Sequence, residues 1–128
     1  MSYYFSKIID DAFDDAIVRV TDQLAKAGFG VLTTIDVSAT MKKKLDADMK
    51  RYTILGACNP GYAWQALQAE AKIGTMLPCN VILQQLDDGK VDVAAVDPIA
   101  SMQAIENPAL GAIATEVREK LQAVIAAL

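Results

Sequence analysis

Apolar residues recur at two spacings along this 128-residue chain, and the switches between those spacings mark out its elements. Tyr3 to Ile8 is aromatic and β-branched and predicts a first strand. Phe13, Ile17, Val20, Leu24 and Ala27 then fall three and four residues apart, the spacing of one helical face. Asp10 or Asp11 is placed to cap that helix, and Gly28 to stop it in the left-handed conformation. Phe29 to Val37 predicts a second strand, with Val31, Thr33, Ile35 and Val37 on one side and Leu32, Thr34 and Asp36 on the other. Ser38 to Leu45 predicts a short helix. Tyr52 to Ala57 predicts a third strand, whose unbroken Ile54-Leu55-Gly56-Ala57 run marks it as central in a sheet.

Asn59-Pro60 opens the next helix: Asn accepts from free first-turn amides, and proline fits the first turn with its φ preset. Trp64, Leu67 and Ala71 form its expected apolar face, and Gly74 ends it. Cys79 to Leu86 and Val91 to Val96 predict a hairpin closed by Asp87-Asp88-Gly89-Lys90, where Asp-Gly readily takes positive φ. Asp97-Pro98 breaks the last strand. Asn107-Pro108 opens a closing helix with Leu110, Ile113, Val117, Leu121, Val124 and Leu128 as its stripe. The order β-α-β-α-β-α-β-β-α predicts one α+β domain over residues 1–128, with helices packed on one face of a largely antiparallel sheet.

Composition narrows the chemistry. Hydrophobic residues make up 53% and charged residues 22%, so a packed core is expected and disorder is not. A net charge of −4 argues against a nucleic-acid partner. Lys42-Lys43-Lys44 is a local basic cluster, which ordinarily is a solvated helix face. No apolar run reaches the ~20 residues of a membrane span, and the first residues lack the pattern of a secretory leader. A cytoplasmic protein without a membrane partner is the expectation. Histidine is absent. That removes Ser-His and Cys-His nucleophile activation and the His-containing zinc sites.

Cys58 and Cys79 are the two cysteines, each followed by asparagine at a junction between elements. Cys58, Asn59 and Pro60 stand where a strand enters a helix. There, free amides and the helix dipole favour negative charge and can lower a thiol pKa. Pro78, Cys79 and Asn80 stand where a later strand begins. If the two junctions converge, they make a polar, thiol-bearing ligand site, with Lys43 folded over it for an anion and Asp97 facing it. The plainer alternative makes both cysteines small buried hydrophobes, Asn59 only a cap and Asp97 only a turn residue.

The sequence Gly28-Phe29-Gly30-Val31-Leu32-Thr33, the run Tyr52-Thr53-Ile54-Leu55-Gly56-Ala57-Cys58-Asn59-Pro60, Leu77-Pro78-Cys79-Asn80-Val81 and Ala95-Val96-Asp97-Pro98 occur in this order. With Met41-Lys42-Lys43-Lys44-Leu45 and Ala66-Leu67-Gln68-Ala69-Glu70 between them, the chain resembles the domain of unknown function 302 family of bacteria and archaea. The resemblance implies a compact α+β domain with a curved antiparallel sheet, associating as a homodimer. It implies no established activity.

Three function classes follow. The first is a homodimeric module binding a small ligand, with an anion as one option, at the Cys58-Asn59-Pro60 helix start beside Pro78-Cys79-Asn80. The second is a thiol protein that uses Cys58 and Cys79 for redox work, sulfur carriage or soft-metal binding. The third is a non-catalytic interaction domain. No reaction is assigned, and no cofactor or resident metal is expected. The 21 positions between the cysteines are unlike the Cys-x-x-Cys of disulfide oxidoreductases.

Overall fold

Five strands form one antiparallel sheet in the order β1-β5-β4-β3-β2. They are β1 (Tyr4–Ile9), β2 (Gly30–Asp36), β3 (Tyr52–Cys58), β4 (Cys79–Gln85) and β5 (Val91–Val96). The helices are α1 (Phe13–Lys26), α2 (Val37–Leu45), α3 (Pro60–Ala69), α4 (Pro98–Ser101) and α5 (Pro108–Ala126), with a 3₁₀ segment at Ala71–Met76. The computed structural model describes residues 2–128. The architecture is α+β, as the element order predicts.

Alternation along the strands decides which side of the sheet is covered. Leu55 and Ala57 of β3, Cys79, Val81 and Leu83 of β4, and Val91, Val93 and Ala95 of β5 all point into the core. α1 packs on them through Phe13, Ala16, Val20 and Leu24, and α5 through Val117, Leu121, Val124 and Ile125. Each valine, leucine, isoleucine or phenylalanine among them, fully buried, contributes about 1.5–3 kcal/mol through removal of apolar surface from water. A satellite core of Ala66, Ile73 and Leu110 lies where α3, the 3₁₀ segment and α5 meet. The intervening residues, including Ile54, Ile82 and Ala94, face the side away from α1 and α5, where among the described residues no helix buries them fully.

Several local expectations change. α1 begins at an Ala12 N-cap with no side-chain bond, because Asp11 instead pairs with Arg19 at 2.9 Å. Gly28 does stop the helix, at φ +89. A bulge between Val31 and Thr33 breaks the strict alternation read for β2. Val31 pairs with Ala57 on the core side, whereas Thr33 and Ile35 pair with Gly56 and Ile54 on the open side. The face expected on α3 is also rotated: Trp64 is 67% exposed and Ala66 is the buried residue. Asp97-Pro98 does more than break a strand; it opens the one-turn helix α4.

Candidate functional site

The register of β3 against β4 joins the two cysteine junctions. Ala57 pairs with Cys79, so Cys58 is the diagonal neighbour of Cys79 on the adjacent strand. Both thiols are free. β3 ends at Cys58 and turns directly into α3, whose first residue is Pro60. A cavity of about 40 Å³ opens at this corner. Cys58, Asn59, Pro78 and Cys79 line it, with Tyr62 from α3 and Val117 from α5 among the apolar walls.

Asn59 occupies the N-cap position of α3, yet its side chain accepts no first-turn N–H. The cause lies across the chain at Gly28. A Cβ there would come within 3.0 Å of the Asn59 amide nitrogen, so the amide is packed against that turn. The helix start therefore keeps its first-turn N–H groups without a side-chain acceptor, next to the cavity. The second Asn-Pro opening behaves as the sequence implies: Asn107 Oδ1 accepts from Ala109 N at 3.1 Å.

Cys79 is buried, and burial pushes its thiol up to about 11, with neighbouring Cys58 adding to the rise. The group is a protonated, apolar thiol at neutral pH. Desolvation, together with nearby Glu116, also raises the Tyr62 phenol.

The remaining sequence candidates are not at this cavity. Pro60 starts α3 but does not line the space. Asn80 follows Cys79 in a strand, so its side chain emerges on the open face of the sheet, beside Tyr4 and Val96. Lys43 belongs to α2, a helix with no buried residue. α2 leaves the Asp36 end of the β2–β3 pair, while the cavity adjoins the Gly30–Cys58 end. A seven-residue strand separates them by about 20 Å, so no lysine of α2 closes the site. Asp97 is 6% exposed and already engaged: Oδ1 accepts from Ile99 N at 3.0 Å, and Oδ2 accepts from Arg118 Nε at 3.1 Å. Only its neighbour Pro98 reaches the cavity. Tyr62, Met102 and Val117 were not candidates from the sequence; Val117 read as part of the apolar stripe of the closing helix, and Tyr62 and Met102 carried no signal there.

Among the described residues no group of three or more His, Cys, Asp or Glu side chains is arranged to hold a metal ion. No helix of the described residues is long and apolar enough to cross a membrane.

The family described as Domain of unknown function DUF302 matches residues 5–128. The chain belongs to the DUF302 family. Its fold is similar to that in the crystal structure of an uncharacterized conserved DUF302 protein from Bacillus stearothermophilus, with a TM-score of 0.90, 25% identity and 98% of each chain covered. No curated protein matches it.

Proposed function

We propose that this DUF302 domain is a homodimeric binding module that takes a small, mainly apolar ligand, or the apolar end of a larger one, at the two-thiol cavity. The observation that carries this reading is the meeting of Cys58, Asn59, Pro78 and Cys79 around one space at the head of α3. A volume of about 40 Å³ limits the occupant to a few heavy atoms. Among the described residues no lysine or arginine lines the space, so an anionic ligand would meet only neutral donors there, the first-turn N–H groups of α3 and the Asn59 amide. The wall chemistry favours a neutral or soft group, with the Asn59 amide fixing its orientation.

The test is a thermal-shift screen of small neutral compounds against wild type and Ala63→Leu. Ala63 is a half-buried wall residue, and a leucine there fills the space. A compound that raises the melting temperature of wild type and not of the variant supports the site. A broad screen without any such compound counts against it.

The adjacency of two free thiols supports a second reading, a thiol site for a soft monovalent metal. Two thiolates satisfy a soft ion such as Cu(I), but the buried Cys79 must first give up its proton. Copper(I) titration of the wild type against Cys58→Ser and Cys79→Ala separates the readings. Stoichiometric binding lost in both variants favours the thiol site; none removes it.

A further inference from the structure

The uncovered face of the sheet has an unusual composition for a surface in contact with water. Its central row, read across the registers from β2 to β1, is Ile35, Ile54, Ile82, Ala94 and Ser6. A second row is Tyr52, Gln84, Asp92 and Ile8. The third contains Thr33, Gly56, Asn80, Val96 and Tyr4, set by the same ladders. Asp92 is the one charged side chain in these rows, on a chain whose net charge is −4. Ile8 is 57% exposed and Ile35 48%. An antiparallel sheet that meets water on one face normally alternates to polar residues there.

We propose that this face binds a second copy of the chain, around a two-fold axis running along β4. The proposal rests on the homodimer reading above and names its surface. Rotation about an axis along β4 keeps the rows and exchanges β5 with β3 and β1 with β2. Ile82 then meets its own copy at the centre. Ala94 faces Ile54 of the second copy, Ser6 faces Ile35 and Tyr4 faces Thr33. Every off-axis pair named sets a larger side chain against a smaller one, the arrangement that lets two layers interdigitate. Asp92 comes opposite the Tyr52 hydroxyl, a donor for its carboxylate. On the axis, Asn80 and Gln84 meet their own copies, and amides carry both a donor and an acceptor.

The relief of the face agrees with this pairing. A hollow of about 370 Å³ lies over Ala94, Val96 and Ile82, walled by Tyr4 and Tyr52. Ile54 is half-buried and does not line that hollow. The two-fold places each Ile54 over the other copy's hollow at Ala94. Packed sheets cross at about 30°, so the pairs nearest the axis are held best and the corner pairs shift. The face measures roughly 20 by 20 Å from strand spacing and rise. Side-chain relief and the exposed flanking Tyr3 and Leu32 bring it towards the ~800 Å² a side of a standard interface. A face-to-face pair also removes an apolar surface that otherwise invites aggregation.

Sedimentation equilibrium on the full chain tests the assignment. Wild type is expected to be dimeric, and Ile82→Asp to weaken dimerisation by about a hundredfold, because it sets two carboxylates against each other on the axis. Ala94→Ile should weaken it about tenfold by colliding with the other copy's Ile54, and adding Ile54→Ala in the same chain should restore it. Within one chain, positions 54 and 94 are separated by β4, so that rescue reports the contact between copies. Trp64→Glu, on an exposed helix face, should leave the mass unchanged. If Ile82→Asp fails to fold, the exposed Ile8→Glu takes its place. A wild type that stays monomeric at about 100 µM overturns both the homodimer and this face. A dimer that persists with Ile82→Asp and Ile8→Glu overturns the face alone.

Discussion

Gly56 of β3 and Thr33 of β2 are register partners, and they are packed so tightly that a single methyl group at position 56 would overlap the Thr33 hydroxyl. The same methyl would lie 2.8 Å from Pro78 Cγ. The strand leading to the cavity thus needs glycine for close approach, not for an unusual φ. Gly56→Ala is expected to cost about 1–3 kcal/mol by overpacking. Adding Thr33→Ala should recover only part of this, since the Pro78 ring remains. Urea unfolding of the single and double variants measures both steps.

The buried thiol makes stability depend on alkali. Cys79 titrates near 11 in the folded chain, against an ordinary thiol value of 9.0. Between those values the unfolded chain has released a proton that the folded chain still holds, so stability falls as pH rises through this window. The loss is complete above the folded value and is on the order of 3 kcal/mol. Cys79→Ala should flatten this part of the pH–stability curve, whatever it does to the absolute stability. Denaturant midpoints from pH 8 to 11 provide the comparison.

Reactivity should divide the two thiols. Cys58 is half-buried at the mouth of α3, whereas Cys79 is buried and protonated. Iodoacetamide at neutral pH is expected to modify Cys58 first, with Cys79 labelled on unfolding. Peptide mass mapping at successive times reads the order, and equal rates would contradict the burial of Cys79.

Asp97 should matter for stability and not for the cavity. It caps α4 and holds Arg118, whose guanidinium also stands 5.2 Å from the Phe5 ring. Asp97→Ala is expected to cost about 1–3 kcal/mol, through the lost cap and the lost charged hydrogen bond. Asp97→Asn keeps an acceptor for Ile99 N and should cost less. Thermal unfolding of the pair ranks them.

Acid should loosen α2 early. Asp36 Oδ1 accepts from Ala39 N at 2.9 Å and from the Ser38 hydroxyl at 2.8 Å, and these bonds lower its pKa. A depressed carboxyl pKa gives support that is present above the unfolded value and lost as pH falls through the folded one. Amide exchange in α2 should accelerate below the ordinary aspartate range, while β3 and β4 remain protected. Asp36→Ala should show the same loosening at neutral pH.

Periodicity was sufficient to make the elements legible. The stripe Phe13–Val20–Leu24, the Asp-Gly turn with Gly89 at φ +85 and the Asn107 cap are local devices, and a local pattern specifies them. Local pattern fails where a distant residue intervenes. Asn59 reads as a cap as plainly as Asn107 does, yet Gly28 packs against its amide and leaves the helix start open. The β2 bulge is likewise set by pairing with β3, and it moves Ile35 to the open face.

By itself the sequence determined an α+β chain with two cysteine junctions, because strand and helix periods and capping residues act over a few positions. Tertiary structure alone decided which junction residues share a space. The pairing of Ala57 with Cys79 brings the thiols together, while the two-residue period of a strand sends Asn80 to the opposite face. Strand length in turn holds Lys43 at the far end of the sheet, and the bonds to Arg118 and Ile99 hold Asp97 out of the cavity. Register and strand direction are long-range properties, fixed by which apolar faces can be buried together, and no short segment encodes them.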